Sequence, residues 1–231
     1  MRKTIFVILV MLINVPLWAK EYKQESPSGK VMVKVAVNDV VTYSVFLNGN
    51  EIISPSEIAM KISDGEVWGR NAKVRKAKIT SVAKELKPVV CRKYATVPDE
   101  YNQLTLTFKN YSLQFRVYDE GAAFRWVSAK KGEYKVMEEL VNFAFPADRN
   151  TWFPEEESIF SHQERKYIRE KLSNINSKRF CSTGMLVDCE NGVKTYISES
   201  GLMDYPGLWL RGNDENPNEL TGKFAGVVLK E

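Results

Sequence analysis

The sequence predicts an all-β protein, a sandwich of antiparallel sheets, on three observations. Short runs rich in β-branched and aromatic residues recur along the chain. Several of them alternate apolar with polar side chains at a period of two, which lays one face of a strand on a core and the other in water. Asn, Asp and Gly turn signals separate the runs, with few helical stretches between them. The composition can fill such a core: of 231 residues, 44% are hydrophobic and 27% charged, which is neither a disordered nor a collagen-like balance.

The first nineteen residues stand apart. Arg2 and Lys3 precede an apolar run from Ile5 to Trp18 that closes on Ala19, the layout of a secretory signal cleaved after Ala19. Asn14 and Pro16 interrupt the run, and it is shorter than the ~20 residues that cross a bilayer. The mature chain is therefore expected to be exported, to the periplasm, and free of the membrane. Cleavage also removes two cations from a formal charge of +4, and with them the main argument for nucleic acid. Lys73, Arg75, Lys76 and Lys78 form a local basic cluster that reads as the wet face of a strand.

Residues 20–231 read as one sandwich domain. Val31 to Val37 and Val40 to Leu47, joined by Asn38-Asp39, form a hairpin, and Asn48-Gly49-Asn50 stops the second strand. Ile58 to Ile62 ends at Asp64-Gly65. Leu104 to Phe108, Ser112 to Tyr118 and Ala122 to Val127 form a meander with one apolar face. Met185 to Cys189 and Val193 to Ser198 make a further hairpin around Glu190-Asn191-Gly192. Glu155 to Lys171 is charged and only partly periodic, a loop or short helix. Phe224 to Glu231 reads as a strand without a closing turn, so the sandwich is expected to be truncated at its C-terminus and to want a continuation.

Candidate chemistry is sparse. His162 is the only imidazole, which excludes zinc sites built on two or more, and it reads as a surface histidine. If residues 181–189 are extended, Cys181 and Cys189 lie about 26 Å apart, beyond the ~7 Å that a disulfide spans. Burial as small apolar residues is their expected state, with the pairing of Cys91 open. Glu155-Glu156-Glu157 invites a glycosidase reading, because sugar hydrolysis uses two carboxylates, but neighbours in sequence rarely face one another and the run reads as a solvated face. Trp126 reads as core. Trp152, Tyr205 and above all Trp209, near Gly207 and Gly212, are candidates for stacking on sugar rings. Glu199 directly follows a strand, where a carboxylate suits calcium; on pattern alone its plainer role is a cap or a salt bridge.

Several ordered stretches resemble the N-terminal domain of glycoside hydrolase family 97, the α-glucosidase and α-galactosidase family. They are Ser26-Pro27-Ser28-Gly29-Lys30, Thr42-Tyr43-Ser44-Val45, Phe115 to Arg125 (Phe-Arg-Val-Tyr-Asp-Glu-Gly-Ala-Ala-Phe-Arg), Trp152-Phe153-Pro154-Glu155-Glu156-Glu157-Ser158, Ile197-Ser198-Glu199-Ser200 and Asp204-Tyr205-Pro206-Gly207. Together they cover nearly all of residues 26–229.

The resemblance implies a β-supersandwich of the galactose-mutarotase-like kind that packs on a following (β/α)8 barrel. In the family the barrel carries the catalytic acid and the base or nucleophile, so no catalytic residue is assigned to this chain and it is expected to be inactive alone. Calcium sits at the junction of the two domains, held by barrel glutamates and one sandwich glutamate that matches Glu199. The barrel and an oligo- or polysaccharide are the partners implied. Two other readings compete: a free-standing carbohydrate-binding sandwich that uses Trp209, and a mutarotase-like epimerase, which wants two histidines and finds one.

Overall fold

The computed structural model describes residues 20–226 apart from 91, 92 and 204. The signal segment, Cys91 and the last five residues of the expected C-terminal strand lie outside the described residues.

Eighteen strands follow one another: β1 Lys20–Glu25, β2 Val31–Val37, β3 Val41–Leu47, β4 Asn50–Ile62, β5 Val67–Trp68, β6 Lys76–Leu86, β7 Val97–Thr107, β8 Tyr111–Tyr118 and β9 Gly121–Ser128, then β10 Val136–Ala144, β11 Asn150–Phe153, β12 Glu155–Glu156, β13 Ile168–Lys171, β14 Phe180–Ser182, β15 Met185–Asp188, β16 Lys194–Ile197, β17 Leu208–Gly212 and β18 Glu219–Phe224. The one helical element among the described residues is the 3-10 turn Leu172–Asn174. No helix there is long and apolar enough to cross a membrane.

Among the described residues all strand pairs are antiparallel and fall into three sheets. The largest runs β1-β2-β3-β4-β10-β18-β17-β14-β12, with β5 appended to β4. The meander β6-β7-β8-β9 and the smaller sheet β13-β11-β15-β16 complete the set. Period-two alternation explains the packing. On β2, Val31, Val33, Val35 and Val37 point inward, and on β8 so do Tyr111, Leu113, Phe115 and Val117. Tyr43 of β3 reaches across to Phe115, ring centroids 5.9 Å apart. Phe153, Met185, Val187 and Ile197 of the smaller sheet join the same buried cluster as Leu208 and Leu210 of β17. This is the β-sandwich expected from the sequence.

Particular elements behave as their residues dictate. β2 and β3 form the expected hairpin, Val37 opposite Val41. Asn48 (φ 50°) and Gly49 (φ 82°) turn β3 into β4 through the left-handed region that Asn and Gly tolerate. The segment expected as a loop or short helix has no helical turn within it: β12 opens it, β13 closes it and the middle is irregular. Its apolar residues make too thin a stripe to bury a helix. In the meander, Leu104 lies opposite Phe115 and Phe115 opposite Phe124. β6 and β7 pair over eleven positions, from Lys76↔Thr107 to Leu86↔Val97, whereas β8 covers β7 only from Asn102 to Thr107. The remainder is a two-stranded ribbon, whereas Lys76 and Lys78 lie exposed on the other part of β6, opposite Thr107 and Thr105.

Candidate functional site: the carboxylate end

Antiparallel register gathers several strand termini at one end of the sandwich. Ser182, the last residue of β14, lies opposite Trp209 near the start of β17. Leu208, the first residue of β17, lies opposite Phe224, the last of β18. β18 pairs with β10 at Asn142↔Thr221, so the earlier residues of β10 run toward the same end. Met185 opposite Ile197 brings the start of β15 and the end of β16 there as well, and Phe153 opposite Ile168 does so for β11 and β13.

Glu199 leaves β16 at this end and is half-buried. Its carboxylate folds back so that Oε1 accepts a hydrogen bond from the Leu208 N–H at 2.5 Å, which closes the 198–207 loop at its base. A second carboxylate holds the middle of the loop. Tyr205 donates its hydroxyl to Oε2 of Glu139 on β10 at 2.5 Å, and its ring meets Phe224 edge-on, centroids 6.1 Å apart. Burial raises the Glu139 carboxyl above the usual carboxylate range and the charge of Glu199 raises it further, against the opposing pull of the Tyr205 bond. The Tyr205 phenol is raised as well, first by burial and then by Glu139. Asp204 lies outside the described residues.

The donor chemistry of Glu199 suits a hard cation such as calcium, which takes six to eight oxygens. Among the described residues no group of three His, Cys, Asp or Glu side chains could hold a metal, so most ligands would have to come from elsewhere. Glu199 fits as one ligand of a shared site and not as the centre of its own.

The remaining candidates sort clearly. His162 is exposed, as expected, and its neighbour Ser161 donates to Glu156, so no nucleophile–base pair forms there. The acidic run is not the solvated face expected of it; only Glu157 is exposed. Short strand β12 alternates, which turns the Glu156 side chain fully inward, where Oε2 accepts from Ser161 Oγ at 2.7 Å and Arg165 Nε at 2.8 Å. Glu155 is clasped by both Nε and Nη2 of Arg179, at 2.6 and 2.8 Å, and this hydrogen-bonded charge holds its carboxyl below the usual range. Both acids are thus committed to arginines.

Trp209, expected exposed, is 5% exposed. β17 runs between β14 and β18, and the indole packs edge-on to Phe180 at 5.9 Å. Trp126 is half-buried against the core, close to its expected place, beside Trp68 and Tyr111. Trp152 is half-buried between Arg169 and Lys194, whose cations lie 5.9 and 5.7 Å from its ring. Cys181 is a buried free thiol, raised by burial, and Cys189 a half-buried one beside Thr195. Sequence reading passed over Glu139. Its only signal is an acidic pair, Glu138-Glu139, ahead of the largely apolar second half of the strand.

Comparisons with known proteins converge on one family. The family described as Glycosyl-hydrolase 97 N-terminal matches residues 25–226. A retaining alpha-galactosidase of Bacteroides thetaiotaomicron is 34% identical over 97% of this chain, which corresponds to 35% of that protein. Among solved structures, a glycoside hydrolase family 97 enzyme of Pseudoalteromonas sp. strain K8, in complex with acarbose, superposes with a TM-score of 0.77 at 20% identity. It covers 88% of this chain and 32% of its own. A beta-arabinopyranosidase gives a TM-score of 0.75 at 22% identity, over 89% of this chain and 35% of its own. At these identities the two structural likenesses concern the fold. The chain spans about a third of the length of the relatives it matches.

Proposed function

The chain belongs to the glycosyl-hydrolase 97 N-terminal family, and from that premise we propose that it is the non-catalytic sandwich of an exported α-glycoside hydrolase. It packs on a (β/α)8 catalytic barrel and lends the Glu199 carboxylate to a calcium ion at the junction. The observation that carries this reading is the Glu199–Leu208 bond: the carboxylate is fixed by a main-chain donor at an exposed end of the sandwich and, among the described residues, has one oxygen left over and too few partners to complete a cation site. Such an ion, when bound, would polarise a water or a leaving oxygen of the sugar as a hard Lewis acid. What the residues of this chain contribute is aim. Leu208 N–H orients Glu199, and Glu139 with Tyr205 holds the loop that carries it.

The acidic run supplies no free acid–base pair of the kind that glycoside hydrolysis requires, because Glu155 and Glu156 are bound to Arg179 and Arg165. The isolated mature chain is expected to release no nitrophenol from nitrophenyl α-glucoside or α-galactoside; turnover would overturn the reading. Co-expressed with the remaining two-thirds of the Bacteroides alpha-galactosidase, the chain should restore calcium-dependent hydrolysis. Glu199→Gln should raise the calcium concentration needed without preventing assembly. An unchanged calcium dependence would remove Glu199 from the ion.

A further inference from the structure

The outer face of the β6–β9 meander carries positive charge that the chain leaves unanswered. Where all four strands lie side by side, the register sets Lys78 opposite Thr105, Thr105 opposite Gln114 and Gln114 opposite Arg125. The rows on either side place Lys76 and Arg116 on the same face, and no acidic residue stands in any of the three rows. Elsewhere the chain pairs its cations, as with Lys84 and Asp99, Arg179 and Glu155, or Lys194 and Asp188. Among the described residues no carboxylate pairs with Lys76, Lys78, Arg116 or Arg125.

The two arginines are aimed without being neutralised. Arg116 Nε donates to Gln103 Oε1 at 3.0 Å, with its guanidinium 4.4 Å from the centre of the Tyr101 ring, and Arg125 Nε donates to Gln114 Oε1 at 2.9 Å. A neutral amide oxygen on Nε fixes the plane of a guanidinium and keeps its full charge, which leaves the Nη edge for a planar two-oxygen anion. Arg116 lies opposite Ala123, two residues from Arg125, a diagonal of about 7–8 Å. Lys78 and Arg125 stand three strand spacings apart, about 14 Å. A chain molecule with carboxylates at intervals can therefore engage several of these cations at once.

We propose that this face is a binding surface for an acidic polysaccharide whose charges are uronate carboxylates. The proposal goes beyond the function given above and takes from it only the choice of carbohydrate as the polymer. Thr107 and Ser112, between the cations, offer hydroxyls to the ring hydroxyls of a sugar. The same rows hold no aromatic ring on which a nucleic-acid base would stack.

The test measures binding of the full chain to immobilised polygalacturonate, starch, dextran sulfate and DNA. Retention on polygalacturonate should fall as salt is raised, and starch should retain nothing. Lys78→Gln/Arg125→Gln should weaken polygalacturonate binding roughly tenfold. Lys166→Gln/Lys178→Gln removes the same charge from exposed positions off the meander and should change it less than about twofold. Urea midpoints equal to the wild type show that both variants are folded. No retention on polygalacturonate, or equal losses in the two variants, overturns the surface. Equal or stronger retention on dextran sulfate or DNA overturns the uronate. Neither result bears on the barrel, which the co-expression experiment decides separately.

Discussion

The β6–β9 meander and the carboxylate end are made of similar strands, yet they dispose of polar side chains in opposite ways. On the meander the polar groups line the outer face as a ladder: Arg116 Nε donates to Gln103 Oε1 at 3.0 Å, Arg125 Nε to Gln114 Oε1 at 2.9 Å, and Gln103 Nε2 to Thr105 Oγ1 at 3.1 Å. Leu104, Leu106, Leu113 and Phe115 keep the inner face dry. At the carboxylate end the acids Glu139 and Glu199 fasten a loop, and on β12 Glu156 turns inward to fasten another. The first arrangement stores stability in apolar burial. The second commits buried charge to geometry, which is where a site differs from a scaffold.

The largest effect should fall on the dry face. Phe115→Ala is expected to cost about 3–5 kcal/mol, while Arg116→Ala next to it stays within about 0.5–1 kcal/mol, both read from urea midpoints. Equal losses would mean that the two faces are not distinguished as described. Next comes Glu156→Ala, which strips Ser161 and Arg165 of their buried acceptor and should cost about 1–3 kcal/mol; proteolysis of the 157–167 segment should rise with it. Glu199→Gln keeps an acceptor for Leu208 N–H, so the isolated chain should lose no more than about 1 kcal/mol even though a ligand of the proposed cation site is lost. A larger loss would make Glu199 a stabilising cap instead of a poised ligand.

The smallest effect is one of pH. The folded state raises the Glu139 carboxyl, through burial and then through Glu199, so its neutral form is favoured on folding. That contribution is complete below the unfolded value and disappears as pH rises through the folded one. Glu139→Gln, which preserves an acceptor for Tyr205, should therefore gain on the wild-type protein in thermal midpoint between pH 4 and pH 8. Parallel curves would remove the carboxylate coupling.

Legibility in the sequence follows the same division. β8 was readable because Tyr111 to Tyr118 alternates without exception, and alternation is what a half-buried strand needs. The hairpins were readable because Asn-Asp and Asn-Gly have the backbone freedom tight turns require. Trp209 misled because the glycines around it suggest an open turn, whereas its burial comes from β14 and β18, distant in sequence. Glu156 misled for the same kind of reason: its arginine lies nine residues away, across a segment without regular structure. At Glu199 the pattern alone offers a cap at a strand end, and the Leu208 bond is of that kind; which residue it would hold was not legible, since an N–H donor is present at nearly every residue of any chain and leaves no mark in the letters.

That anonymity of the donor has its own consequence. A salt bridge would tie the aim of Glu199 to the identity of a second side chain, and any drift at that position would swing the carboxylate away. An amide proton is furnished by nineteen of the twenty amino acids, proline alone lacking it, so the bearing of this acid survives almost any replacement at position 208.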